Sequence, residues 1–261
     1  MAEILNTVSR REFLGYAAGA LAAPMAFGCG WPTDVGSGDP RLTARPGTPT
    51  VAATLGLTRL NLDVGRNANL YVPQSYSPDV PLPLFIALHG AGGSADDWES
   101  YYNRADQRGM IFLSIKSWDF SWDLIADASF GKDVKAIDEA LMKTFERCAV
   151  DASKISFGGF SDGASYALSL GVSNGDLFTH LVGYSPGFIA SAPPTVGKPK
   201  IYISHGTQDA ILPVNVSRLS TVPILREAGY DVTYEEFDGA HIVPAAISES
   251  ALDWFLAVPQ G

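Results

Sequence analysis

From residue 82 to residue 255, short apolar runs of strand length alternate with longer runs of helical period, and this alternation restricts the chain to an α/β architecture. Residues 82–88 form a nearly continuous apolar run ending in His89-Gly90, the pattern of a strand buried on both faces of a parallel sheet. Ser94 can cap the helix that follows, Asp96, Asp97 and Glu99 suit its first turn, and Gly109 can end it. The same reading places strands at 110–115, 154–158, 181–184, 200–204 and 232–237, and helices at about 132–147, 162–170, 216–228 and 243–255. Earlier alternating runs at 59–64 and 69–72, around Gly65-Arg66-Asn67, read as a hairpin at an antiparallel edge. The expected fold is a mostly parallel, doubly wound sheet with an antiparallel N-terminal edge and no insertion long enough for a lid domain.

The first 29 residues read as a processing segment, because Ser9-Arg10-Arg11-Glu12-Phe13-Leu14 leads into an apolar stretch too short to span a bilayer. The paired arginines look like a twin-arginine export signal, and Ala26-Phe27-Gly28-Cys29 looks like a lipoprotein cleavage box with Cys29 lipidated. The plainer alternative is an amphipathic N-terminal helix. Residues 30–50, rich in Pro, Gly, Thr, Ser and Asp without a hydrophobic period, read as a flexible tether, which leaves 51–261 as the catalytic domain. The expectation is an exported, periplasmic or cell-surface lipoprotein of a bacterium, tethered to the membrane through Cys29, and a monomer or small homo-oligomer. With Cys29 acylated, Cys148 stands alone, so neither a disulfide framework nor a cysteine metal site is expected. Twenty-eight acidic against 18 basic residues give a net charge of −10, and no basic patch interrupts it. That balance excludes nucleic acid as a partner and suits neutral small-molecule substrates.

The chemistry centres on Gly159-Phe160-Ser161-Asp162-Gly163, which follows an apolar strand and opens a helix. A nucleophilic serine on a strand–turn–helix elbow needs small neighbours on both sides, because other backbone segments must pass close to it. The N–H of Asp162 at the helix start then faces developing negative charge and becomes one oxyanion donor. The side-chain-poor turn His89-Gly90-Ala91-Gly92-Gly93 supplies the second, with Ala91 as the donor. A serine hydroxyl needs a base, and His241, in the loop between the last strand and last helix, is placed to reach it. His89, His180 and His205 read as structural. Asp209, after the strand at 200–204, is the preferred acid over Asp238, and the order Ser161, Asp209, His241 is that of an α/β-hydrolase triad.

Four ordered blocks, His89-Gly90-Ala91-Gly92-Gly93, Gly159-Phe160-Ser161-Asp162-Gly163-Ala164-Ser165, His205-Gly206-Thr207-Gln208-Asp209 and Asp238-Gly239-Ala240-His241, make residues 82–255 resemble the phospholipase/carboxylesterase branch of the α/β-hydrolase fold. The chain is also similar to small polyhydroxybutyrate-depolymerase-like and feruloyl-esterase-like enzymes. The resemblance implies a cofactor-free esterase that works through an acyl-enzyme. Two departures stand out: the export segment, absent from cytosolic members of the branch, and Asp162, which often has an uncharged counterpart there. A carboxylate suits a helix N-terminus but opposes an oxyanion, so the Asp162 side chain is expected to point outward.

Aromatic residues crowd 98–102 and 118–122, and Trp118, Trp122, Phe188 and Leu212 are candidate walls of an acyl or aryl pocket. Ordinary core packing is the competing account of these rings. Without a lid, short-chain or aromatic carboxylic esters fit better than long-chain triglycerides. Rival readings are an acyltransferase or a peptidase on the same triad, or a surface-anchored binding protein without catalysis. No metal is expected, since no His/Asp/Glu cluster has ligand spacing.

Overall fold

A computed structural model describes residues 38–63, 65–190 and 194–257. The signal segment with Cys29, the first part of the tether and Val64 at the hairpin turn lie outside the described residues. Eight strands form one sheet: β1 (Gly56–Asn61), β2 (Asn67–Val72), β3 (Leu82–Leu88), β4 (Ile111–Ile115), β5 (Val150–Phe160), β6 (His180–Tyr184), β7 (Lys200–Gly206) and β8 (Val232–Phe237). Their order is β1-β2-β4-β3-β5-β6-β7-β8. The pairs β1–β2 and β2–β4 are antiparallel and the other five are parallel, so the antiparallel edge lies where the sequence places it.

Helices cover both faces: α1 (Ser100–Arg108), α2 (Asp123–Ala126), α3 (Lys132–Phe145), α4 (Asp162–Gly171), α5 (Val222–Glu227) and α6 (Ala245–Leu256). Residues 84–88 of β3 and all of β4 are buried, as a central parallel strand covered on both sides requires. Ser94 caps a 3-10 turn, Ala95–Trp98, through a capping box with Asp97; α1 follows and ends at Gly109 in the left-handed conformation (φ 59°, ψ 51°). The helix anticipated at 216–228 is divided: a π turn, Ser217–Thr221, precedes α5. Pro223 explains the division, because it has no N–H to give the carbonyl four residues back and the turn widens.

From Asp39 to Pro49 the chain has no regular structure, as its composition implies, yet it is bound to the body of the domain instead of hanging free. Leu42 and Ala44 are buried. Thr43 and Ala44 each donate a backbone N–H to Asp138 Oδ1 of α3 at 2.8 Å, and Leu42 N donates to Asn174 Oδ1 at 2.9 Å. Arg41 forks onto Asp176 at 2.9 and 2.8 Å, and the N–H groups of Thr50 and Val51 end the run on Glu146 O. A polar segment thus finds its order in side-chain acceptors far along the chain, which local composition does not disclose.

The β4–α3 connection, including α2, which has no counterpart in the sequence reading, rests on two buried carboxylates. Asp133 accepts from Trp118 N at 2.6 Å and Asp123 N at 2.7 Å, while Asp123 Oδ2 accepts from Gly131 N and Asp133 N at 2.9 Å. Burial, and then the neighbouring Asp123 charge, push the Asp133 carboxyl up to about 7. An unfolded aspartate titrates at about 3.9, so the folded chain holds the extra proton between the two values. The Asp133 contribution to stability is therefore full below the unfolded value and is lost as pH rises through about 7. His89 and His180, each lowered to about 4 by burial, act in the opposite direction below the ordinary histidine range. The Asp133 effect is hence read as a difference. Relative to Asp133→Asn, the wild-type melting temperature should fall as pH rises from 5 to 8; a difference independent of pH would refute this.

Candidate active site

The register Leu88↔Gly159 between β3 and β5 sets the turns that leave these two strands side by side at one end of the sheet. Glycine lets them touch. A Cβ on Gly163 would stand 2.4 Å from Leu88 O and 2.5 Å from His89 O, and one on Gly159 would stand 2.5 Å from the Gly163 carbonyl. Between these glycines Ser161 has φ 57° and ψ −119°, a conformation that L residues avoid. Its N–H donates to Tyr184 O at 2.9 Å, which ties the strained turn to β6.

His241 Nε2 lies 2.8 Å from Ser161 Oγ, and His241 Nδ1 lies 2.5 Å from Asp209 Oδ2. The three residues singled out from chain order therefore form one hydrogen-bonded series. The Asp209 side chain is fully buried, and its Oδ1 accepts from Ile211 N at 2.9 Å and Leu212 N at 2.8 Å. With Oδ1 so occupied, Oδ2 faces the imidazole and directs its proton to Nδ1, which leaves Nε2 free to accept from the serine. Asp238, the competing acid, instead accepts from Gln208 Nε2 at 2.5 Å. The His241 loop reaches the serine by crossing the end of β7. A Cβ on Gly206 would meet the carbonyls of Gly239 and Ala240 at 2.4 Å, and Gln208 N donates to Gly239 O.

The other three histidines have polar partners of their own. His89 Nε2 accepts from Ser117 N at 3.0 Å, so Nδ1 carries the proton and donates to Gly90 O at 2.6 Å. His205 bridges Ser217 Oγ and Leu212 O beneath the acid loop, and burial lowers its pKa. His180 contacts Thr179 Oγ1 and sits edge-on to Trp254 and Phe255. Each burial favours a neutral ring. Burial also pushes the Cys148 thiol up to about 12, so it presents no thiolate at neutral pH.

Gly90 packs on the nucleophile: a Cβ there would lie 3.3 Å from both Phe160 Cδ1 and Ser161 Cβ. Ala91 follows it in the same turn. The N–H of Asp162 heads α4 and has no carbonyl partner within that helix. The Asp162 side chain departs from expectation. It does not point outward but accepts from Ser121 Oγ at 2.5 Å, and burial raises its pKa. Removal from water disfavours the charged carboxylate, and the Ser121 hydroxyl offsets part of that cost by donating to it.

Residues 107–253 match the family model described as phospholipase/carboxylesterase. The chain belongs to this family. A protein of Aspergillus niger named "Probable feruloyl esterase C" is 29% identical over 175 residues, which are 63% of this chain and 61% of the relative's length. The chain thus spans less than two thirds of that curated relative. An S-formylglutathione hydrolase from Staphylococcus aureus superposes with a TM-score of 0.64 at 16% identity, covering 81% of this chain and all of the other. A ferulic acid esterase from Anaeromyces mucronatus gives 0.61 at 16% identity, covering 80% and 94%. At these identities the structural matches speak to the fold, and they agree with the α/β-hydrolase sheet described above.

In this phospholipase/carboxylesterase family member, the four pocket candidates divide. Trp122 is fully buried; its Nε1 donates to His89 O at 2.9 Å and its ring packs on His89 and Tyr166. It holds the start of the 89–93 turn and is core packing, not a wall. Trp118 is half-buried, with Arg66 and Lys132 over its ring at 4.8 and 4.4 Å, so cations take the place of an apolar contact. Leu212 remains partly exposed beside the acid, and a Cβ on Gly187 would lie 3.3 Å from its methyl groups, which brings the loop of Phe188 against it. The sequence reading missed Phe160, whose ring lies 4.7 Å from that of His241, while Phe120, one of the aromatics at 118–122, covers Gly92. It also missed the exposed Ile242, one residue beyond His241. The adjacency of Phe160 to Ser161 and of Ile242 to His241 in sequence was the available signal.

Proposed function

We propose that the chain is a serine carboxylesterase that hydrolyses neutral short-chain or aromatic esters through an acyl-enzyme intermediate. The observation that carries this reading is the continuous series Asp209–His241–Ser161, with donor-to-acceptor distances of 2.5 and 2.8 Å. Ser161 Oγ attacks the ester carbonyl carbon while its proton passes to His241 Nε2. The carbonyl oxygen, now anionic, is held by the N–H groups of Ala91 and Asp162. His241 then returns the proton to the departing alcohol, leaving the acyl group on Ser161. Water repeats the sequence: its proton goes to His241, its oxygen attacks the acyl carbon, and the carboxylic acid leaves as Ser161 recovers its hydrogen. Asp209 stabilises the imidazolium in both halves.

Apolar side chains around the series, Phe160, Leu212, Phe188 and Ile242, favour an uncharged acyl or aryl group over a charged one. The name of the Aspergillus niger relative points the same way, toward a feruloyl ester. As part of the proposal, residues 1–29 direct export and Cys29 anchors the enzyme at the bacterial surface, where such esters arrive from outside. A panel of acetate, butyrate, decanoate and methyl ferulate esters tests the substrate class. The kcat/KM values for acetate, butyrate or ferulate should exceed that for decanoate by about tenfold or more, which corresponds to about 1.4 kcal/mol of transition-state discrimination. Preference for decanoate, or faster cleavage of peptide amides, would contradict it.

A further inference from the structure

The two oxyanion donors sit on separate loops, Ala91 after β3 and Asp162 after β5, and their spacing is set by whatever holds those loops together. The segment from Ser117 to Trp122 touches both. Toward the glycine turn, Ser117 N donates to His89 Nε2 at 3.0 Å, Gly92 N donates to Phe120 O at 2.7 Å and Trp122 Nε1 donates to His89 O at 2.9 Å. Gly92 itself has φ +70°, and a Cβ there would come within 2.8 Å of the Phe120 ring, so turn and segment are fitted to each other. Toward the elbow, Ser121 Oγ donates to Asp162 Oδ2 at 2.5 Å. Ser121 and Phe120 are consecutive, so one rigid peptide unit joins the Asp162 contact to the Gly92 contact.

We propose that Ser121 and Asp162 are a positioning pair, which fixes the separation of the Ala91 and Asp162 N–H groups by clamping the 117–122 segment between the two loops. Neither side chain touches the reacting atoms. The inference rests on the esterase reading above, because donor spacing matters only if an oxyanion forms there. Transition-state binding is sensitive to it, since a displacement of about 1 Å at such a site costs about 100-fold in rate. Ground-state binding is far less so, and that difference separates positioning from general support of the fold.

The test compares Ser121→Ala, Asp162→Ala and Asp162→Asn with wild type in ester turnover, in affinity for an aryl trifluoromethyl ketone, and in thermal melting. The ketone forms a tetrahedral adduct that needs both donors; the alcohol product serves as a ground-state competitor. Ser121→Ala and Asp162→Ala should lower kcat by about 10- to 100-fold, weaken the ketone in parallel, and leave KM and product inhibition within about twofold. Asp162→Asn, which keeps a partner for the Ser121 hydroxyl, should recover at least about fivefold of the turnover that Asp162→Ala loses. Active wild type with Ser121→Ala and Asp162→Ala equal to it in kcat and ketone affinity would overturn the pair alone. So would equal impairment of all three variants, or losses that track melting temperature and affect KM as much as kcat. Wild type that neither turns over esters nor binds the ketone would overturn the esterase reading, and the pair with it.

Discussion

Ser161→Ala protein should fold, melt at about the wild-type temperature, and hydrolyse esters on the order of 10⁴-fold more slowly or worse. The side chain is small and its hydroxyl meets one side-chain partner, His241, so deleting it opens no significant cavity. What is lost is the nucleophile. His241→Ala should cost a similar factor, and the double variant should be little worse than either single one, because base and nucleophile act as one unit. Additive losses would contradict that coupling. The same turn gives a second, opposite result: Ser161→Gly should be equally inactive yet more stable than Ser161→Ala. At φ 57° and ψ −119° a Cβ is strained, and such conformations cost about 1–3 kcal/mol, which glycine relieves. A Ser161→Gly variant less stable than Ser161→Ala would show that the turn stores no strain.

Gly163→Ala should cost both stability and turnover. The new carbon would lie 2.4 Å from Leu88 O and 2.5 Å from His89 O, both backbone atoms at the end of β3. Neither can rotate away, so β3 and the elbow must separate, and overpacking of this kind costs up to about 3 kcal/mol or somewhat more. For a domain of this size that corresponds to a melting temperature lower by roughly 6–12 °C. The chemical loss should be larger still, since the glycine turn carrying Ala91 moves with His89, and about 100-fold in kcat follows from about 1 Å of misplacement. Gly47→Ala is the matched control: nothing lies within 4 Å of its added carbon, and it should leave melting and turnover unchanged. Wild-type melting and turnover in Gly163→Ala would mean that β3 does not press on the elbow as described.

Much of this architecture could be read from the chain because parallel strands buried on both faces leave long apolar runs, and their ends carry glycine. The segments ending at His89, Ser161, Asp209 and His241 were legible in this way, and their order along the chain assigned nucleophile, acid and base. Side-chain direction within loops was not legible. In the run from Trp118 to Trp122, composition left an aromatic wall and core packing both open, and Trp122 turns inward to donate to His89 O while Ser121 meets Asp162 and Phe120 covers Gly92. A loop has no period from which to tell inside from outside. Asp162 was misjudged for a related reason: its acceptor role depends on Ser121, 41 residues earlier, which no local pattern reveals. The segment from Asp39 to Pro49 is a third case, since Asp138, Asn174 and Asp176, which bind it, lie about 95 to 135 positions further along.

Everything proposed for the site depends on Ser161 being the acylated nucleophile. Treating wild-type protein with a fluorophosphonate and locating the adduct by peptide mass spectrometry tests this most directly. One adduct per chain is expected, on the peptide that contains Ser161, with ester turnover falling in proportion to its formation and no adduct in Ser161→Ala. An unmodified wild type, an adduct on another residue, or full turnover in protein whose Ser161 is modified would contradict it.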